Sequence, residues 1–280
     1  MIQTIAVAGA GTMGSGIALV AAQNGYQAIL FDLEKTVLEK ASNSIKKNLQ
    51  FLTDKQAISF EQSGQIFNRI LFTSNISECI ADLVIEAIVE KACPKIALFN
   101  QLAEINSSAT IFATNTSSLS VTEIQSAITN PERVAGMHFF NPAPVMKLVE
   151  VVKGLQTNDT TIQSIYDLCI KMNKTPVICK DAPGFIVNRV ARHYYLEAMH
   201  LVEHGIATIE NVDTVMEATG FKMGPFKLMD LIGLDVNLAV SKSIYEAFDK
   251  EERFTPAALQ IDKVSKGELG RKTGKGFYNY

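Results

Sequence analysis

Through roughly the first 180 residues, short apolar runs alternate with longer stretches in which apolar residues recur at helical spacing. The runs Thr4–Ala8, Gln27–Phe31, Ile70–Thr73, Asp82–Ile88 and Thr110–Thr114 are nearly all apolar, as expected of strands buried on both faces of a parallel sheet. Between them lie helical patterns: one following the glycine turn to Asn24 with Gly25 as C-terminal cap, a long one from Glu34 to Phe67, and Pro94–Asn106. Strands alternating with helices imply βαβ units and a doubly wound, mostly parallel sheet. Two later runs, Arg133–Phe140 and Lys147–Val152, are rich in β-branched and aromatic residues. They flank Asn141-Pro142-Ala143-Pro144, which has the composition of a turn, so a hairpin centred near Pro144 is expected. A helix over Asp159–Met172 and a strand over Thr175–Lys180 close this part.

The pattern changes at Asp181-Ala182-Pro183-Gly184, where Pro183 is placed to start the next helix. Beyond it no strand signal remains; Phe185–His204, Thr208–Thr219 and Leu228–Phe248 read as helices. The expected organisation is an α/β domain over residues 1–182 and an all-helical domain over 183–280. The terminal GRKTGKGFYNY is expected to close the second domain by packing Phe277 and Tyr278.

At 280 residues the chain is long enough for two cores, and 47% hydrophobic with 20% charged residues is an ordinary globular balance. A net charge of -3 argues against a general nucleic-acid binder. Cys79, Cys93, Cys169 and Cys179 have no CxxC spacing, so reduced thiols are expected. The opening MIQTIAVAGAG lacks a basic n-region, and no apolar run approaches the roughly 20 residues that cross a bilayer. A cytoplasmic protein without membrane or nucleic-acid partners is the expectation.

The first strand runs into Gly9-Ala10-Gly11-Thr12-Met13-Gly14, a GxGxxG that opens a helix, and the second strand ends at Asp32. In a Rossmann-type dinucleotide site Gly9 permits the tight turn, Gly11 admits the pyrophosphate, and Gly14 lets helix and strand pack closely. The helix N-terminus attracts the anion. Asp32 would accept hydrogen bonds from the adenosine ribose hydroxyls and repel a 2′-phosphate, favouring NAD over NADP. Glu90, Lys95 and Asn115-Thr116-Ser117-Ser118 follow later strands, at the edge where ligands bind in such sheets. NTSS also has the composition of an N-cap for a helix over Val121–Ile128. In the hairpin, His138 falls directly opposite Glu150, with Cβ atoms roughly 5 Å apart. A carboxylate there fixes the imidazole's tautomer and makes it a candidate general base; a packed structural pair is the alternative. Asn188 sits in the first turns of the helical domain, where an exposed polar position is the plainer account. His200 and His204 have metal-pair spacing but no HExxH, so no metal is expected. Lys46, Lys47 and Lys55 read individually as a solvated helix face.

With GxGxxG and Asp32, NTSSL, HFFNPAPVMKLVEVV, DAPGFIVNR and GRKTGKGFYNY in order along the whole chain, the sequence resembles the L-3-hydroxyacyl-CoA dehydrogenase family, most like its bacterial 3-hydroxybutyryl-CoA members. The resemblance implies NAD-dependent, reversible oxidation of an (S)-3-hydroxyacyl-CoA to the 3-ketoacyl-CoA, with 3-hydroxybutyryl-CoA as the expected substrate. It implies His138 as base paired to Glu150, and Ser117 and Asn188 as hydrogen-bonding partners of the C3 oxygen with Asn141 beside them. It implies Gly9, Gly11, Gly14 and Asp32 at NAD, with Glu90, Lys95 and Asn115 nearer the nicotinamide. It also implies a homodimer through the helical domain. Family members place serine and lysine residues of the long second helix against CoA, and Ser44, Lys46, Lys47 and Lys55 are available, with Lys47 as the expected contact. The competing readings are a dehydrogenase of a free hydroxy acid or sugar acid, and a non-catalytic NAD-binding protein.

Overall fold

Strand β1 (Thr4–Ala8) shows the plan of the first unit: Ile5 and Val7 belong to one core and Ala6 and Ala8 to another. Successive side chains of a strand leave opposite faces, so both faces of this strand are covered. The computed structural model describes residues 2–280. Strand β2 (Gln27–Phe31) repeats the alternation, and β3 (Ile70–Thr73), β4 (Leu83–Glu86), β5 (Ile111–Thr114), β6 (Val134–Phe139), β7 (Leu148–Lys153) and β8 (Thr175–Lys180) complete an eight-stranded sheet in the order β3-β2-β1-β4-β5-β6-β7-β8. Strands β1 to β6 are mutually parallel, β7 is antiparallel to β6, and β8 is parallel to β7. The helices of this unit are α1 (Thr12–Gln23), α2 (Lys35–Asp54), α3 (Phe60–Asn68), α4 (Ala92–Ile105), α5 (Val121–Ser126) and α6 (Asp159–Lys171). One core gathers Ile17 and Leu19 of α1, Ile45 and Leu49 of α2 and Ile165 of α6; the other gathers Phe99 and Leu102 of α4 and Ile124 of α5. This is the doubly wound, mostly parallel sheet that the alternation of strands and helices implies.

The helical pattern from Glu34 to Phe67 is two helices rather than one. Gln56 adopts φ +56, and Ser59 starts α3 with a capping box: its hydroxyl accepts from Gln62 N, and its own N–H donates to the Gln62 side chain.

The chain divides into two compact units, one ending at Ala182 and the other beginning at Pro183. The second contains α7 (Val187–Glu203), α8 (Ile209–Ala218), α9 (Pro225–Ile232), α10 (Leu234–Ala247) and α11 (Ala258–Ser265). Two boundaries differ from those the sequence pattern implies. Pro183 does not start α7, because Gly184 and Phe185 at φ +72 and +47 keep the backbone out of the helix until Val187. The stretch Leu228–Phe248 is broken at Gly233, whose φ of +101 ends α9 and begins α10. The core of this unit joins Tyr195, Leu196 and Met199 of α7 to Phe226 and Met229 of α9. Buried Asp213 accepts from the Phe226 and Lys227 N–H groups at the start of α9, where a carboxylate meets the positive helix end. Buried Asp230 accepts from the Phe277 and Tyr278 N–H groups, so the terminal segment closes the unit as expected. Among the described residues no helix is long and apolar enough to cross a membrane.

Candidate active site

The strand order reverses between β1 and β4, and in such sheets ligands bind beyond the carboxyl ends of the strands at that point. The chain leaves β1 through Gly9 at φ +102, and a Cβ there would stand 2.5 Å from the Ala87 carbonyl oxygen after β4. A Cβ on Gly14 would stand 1.7 Å from the Gly9 carbonyl oxygen, whereas one on Gly11 would meet nothing within 4 Å. Gly9 and Gly14 are therefore demanded by packing, and Gly11 borders open space that a pyrophosphate can approach. Helix α1 has no side-chain cap and no acidic residue in its first turn, which leaves its positive end to an anion. Asp32, just past β2, accepts from Ala10 N at 2.8 Å and from Glu34 N at 3.0 Å, so its carboxylate is fixed beside the glycine turn. These residues fit a dinucleotide.

The ends of β4 and β5 carry a buried charge network whose first member, Glu86, sequence reading missed. Lys95 Nζ donates to Glu86 at 2.6 Å and lies 3.1 Å from Glu90, with the lysine side chain 1% exposed. Lys95, expected beside the nicotinamide, is thus enclosed and committed to two carboxylates. Glu86 also accepts from Thr114 Oγ1 and Ile88 N. Glu90 gathers the turn after β5, accepting from Thr116 Oγ1 at 2.6 Å, Ser117 N at 2.9 Å and Ser118 N at 3.2 Å. Burial pushes the Glu86 carboxyl above its ordinary range. Burial pushes Glu90 the same way, but the Lys95 charge and the hydrogen bonds from Thr116, Ser117 and Lys95 outweigh it and hold Glu90 low. The NTSS turn is not the helix cap: Ser120 caps α5, accepting from Glu123 N, and Thr116 and Ser117 serve Glu90 instead. The available signal for Glu86 was an acid closing a strand otherwise buried on both faces.

Strands β6 and β7 pair with His138 directly opposite Glu150, the register expected from the sequence. His138 Nδ1 is 2.7 Å from Glu150 Oε2, with the side chains 7% and 1% exposed. With Glu150 ionised, the hydrogen-bond geometry assigns the proton to Nδ1 and the neutral ring's lone pair to Nε2. Gly136 makes room here, since a Cβ on it would stand 2.7 Å from Val152 and 3.0 Å from Val121 of α5. Asn115 joins the ends of β5 and β6 by accepting from Phe139 N at 2.8 Å. Asn141 is exposed in the loop after β6. Asn188 is half-buried in the first turn of α7, in the second unit. Lys47 is exposed on α2 without an ion pair or hydrogen bond among the described residues, while Lys46 lies over Phe67 and Lys55 over Phe51.

Residues 4–182 match the family profile described as 3-hydroxyacyl-CoA dehydrogenase, NAD binding domain, and residues 184–280 the one described as 3-hydroxyacyl-CoA dehydrogenase, C-terminal domain. The chain is 47% identical over 281 residues to the 3-hydroxyadipyl-CoA dehydrogenase of Escherichia coli, covering 100% of this chain and 59% of that protein. It is 41% identical over 281 residues to a Bacillus subtilis protein named "Probable 3-hydroxybutyryl-CoA dehydrogenase", covering 100% of this chain and 98% of that one. A crystal structure of 3-hydroxybutyryl-CoA dehydrogenase from Escherichia coli K12 superposes with a TM-score of 0.97 at 47% identity, covering 100% of this chain and 60% of that one. The chain therefore spans about three fifths of the length of these two Escherichia coli matches and nearly all of the Bacillus relative.

Proposed function

The chain belongs to the 3-hydroxyacyl-CoA dehydrogenase family, NAD-dependent oxidoreductases acting on 3-hydroxyacyl thioesters, and from that premise we propose that His138, seated by Glu150, is the base that takes the C3 hydroxyl proton. The observation that carries this role is the buried 2.7 Å contact between His138 Nδ1 and Glu150. Because Nδ1 is held, Nε2 receives the proton, and the imidazolium formed is stabilised by the carboxylate behind it. Ser117 and Asn188 hydrogen-bond the C3 oxygen as it becomes a carbonyl, and Glu90 positions Ser117 through its N–H. Asn141 borders the same oxygen. Gly9, Gly11, Gly14 and Asp32 hold the pyrophosphate and adenosine ribose, and Glu90 and Asn115 stand at the nicotinamide end, with Lys95 acting through Glu90. NAD, when bound, supplies the acceptor for the hydride that leaves C3. In the reverse direction the His138 imidazolium returns its proton to the ketone oxygen. Lys47 is the proposed CoA contact.

Steady-state NADH oxidation with acetoacetyl-CoA against free acetoacetate tests the reading. Turnover confined to the thioester is expected; turnover of the free acid alone would make the enzyme a hydroxy-acid dehydrogenase, and no turnover with NAD still bound would make it non-catalytic. A homodimer through the helical unit and a cytoplasmic setting complete the proposal. Exposed apolar residues of that unit, among them Leu231, Ile232 and Val236, support the first, and four free cysteines agree with the second.

A further inference from the structure

Arg192 is buried in the second unit, 2% exposed, and among the described residues no carboxylate pairs with it. Its Nη1 donates to the Asn237 carbonyl oxygen at 2.9 Å, to Asn237 Oδ1 at 3.2 Å and to Ser241 Oγ at 2.6 Å, all neutral acceptors. The same cluster is closed by Gln260, which donates to Asn237 Oδ1 at 2.6 Å and is itself fully enclosed. The guanidinium stands over Tyr195 at 5.1 Å. Every hydrogen bond it makes runs through Nη1, and its buried Nε has no partner. Nε and Nη2 form the side-on fork that matches the two oxygens of a carboxylate, and here that fork is uncommitted. Burial pushes this guanidinium down to about 10, with Tyr195 the one group that acts electrostatically to keep its proton. A buried cation without a counter-ion is costly to a fold, and a polar group left unsatisfied at such depth is uncommon.

The position of this cation on its helix is the second observation. Arg192 lies four residues after Asn188 on α7, so the two share a face one turn apart. That face passes from half-buried at Asn188 to buried at Arg192, Tyr195 and Leu196. One turn is about 5.4 Å along the axis. In a six-carbon 3-hydroxyacyl group, three C–C bonds of about 1.5 Å carry the chain from C3 to C6. An oxygen on C3 and a carboxylate at C6 are thus separated by about the spacing of the two side chains.

We infer that Arg192 receives the terminal carboxylate of a dicarboxylic 3-hydroxyacyl thioester, making a six-carbon, 3-hydroxyadipyl-type acyl group the preferred substrate over the four-carbon one. The inference rests on the proposed placement of the C3 oxygen at Asn188. It fits the 47% identical relative, whose name specifies the 3-hydroxyadipyl thioester. Asn237, Ser241 and Gln260 orient the guanidinium from behind, and the substrate supplies the missing negative charge. Site groups that are paired only by the right ligand reject an analogue lacking it far more strongly than an apolar pocket rejects a missing methylene.

The test compares kcat/KM for 3-hydroxyadipyl-CoA and 3-hydroxyhexanoyl-CoA, which have equal carbon counts and differ by carboxylate against methyl at C6. The wild-type enzyme is expected to favour the adipyl thioester by about 100-fold. In Arg192→Met the ratio should collapse to about one or reverse, and Arg192→Lys, a point charge without the fork, should retain part of it. A wild-type ratio at or below one overturns the inference, as does an Arg192→Met variant that keeps the wild-type ratio while losing activity on both substrates alike. If Arg192→Met does not fold, as read by circular dichroism, the wild-type ratio and Arg192→Lys decide. Absence of wild-type turnover on both thioesters would instead count against the proposed function, so the two failures are distinguishable.

Discussion

At His138 the two ring nitrogens have different duties: Nδ1 is bound to Glu150 at 2.7 Å, and Nε2 carries the proposed proton transfer. His138→Gln should lower kcat by about 10²- to 10⁴-fold, the range for losing a general acid–base group, with NAD affinity nearly unchanged. A variant within a few fold of wild type would remove His138 from the role. Glu150→Gln should likewise depress kcat more than NAD binding, measured by steady-state kinetics beside NAD titration. A loss confined to NAD binding would mean that the carboxylate serves the cofactor. The His138–Glu150 pairing was legible in the sequence because a hairpin centred near Pro144 leaves only one partner opposite position 138. Glu86 was legible only as an acid closing a buried strand, not as a member of a charge network. Its charge is neutralised by Lys95, nine positions on and one helix away, and that meeting depends on how α4 packs against the sheet rather than on any local spacing.

At the scale of elements, the turn after β5 is held by a carboxylate that a buried lysine holds in turn. Removing one member of a buried ion pair leaves the others uncompensated, so Lys95→Met should cost about 3–5 kcal/mol in denaturant unfolding. A loss below about 1 kcal/mol would mean that the network contributes little. The sign of the pH effect follows from Glu90, which is held below its ordinary range. Its stabilisation is present above the unfolded carboxylate's pKa and is lost as pH falls through the folded value. Burial pushes Glu86 the other way, so the acid-side loss belongs to Glu90. The stability gap between wild type and Glu90→Gln should therefore be widest near neutrality and close toward acid; a gap that widens on acidification would contradict this assignment. Element boundaries were less legible than elements. The α2–α3 break hides because both helices keep their apolar period across it, although Ser59 and Gln62 carried the capping signal. Gly233 separates α9 from α10 inside a pattern that reads as continuous, since an isolated glycine costs a helix only about 1 kcal/mol and does not by itself mark a break.

At the scale of the whole chain, the loss of strand signal after Lys180 coincides with the division of the structure at Ala182 and Pro183. Period-2 burial serves only a sheet, and beyond that point the described elements are helices, with isolated bridges at Gly270–Lys275 and Lys275–Asn279 in the closing segment. Each unit has its own core, but the helical one leaves large apolar side chains in water where α9 meets α10: Leu231, Ile232 and Val236 are 42% to 49% exposed. Single exposed apolar residues need no explanation, whereas three within six positions at one helix junction are what an associating surface would use. A second copy of the chain would cover it through a two-fold interface in which each patch meets its equivalent. Sedimentation equilibrium should then give twice the 30.6 kDa chain mass. Lysine at both Leu231 and Val236 places like charges across such an interface and should return the mass to that of one chain with helical circular dichroism retained. A wild-type monomer would remove the dimer from the proposal, and a double variant that remains dimeric would move the interface away from the α9–α10 junction.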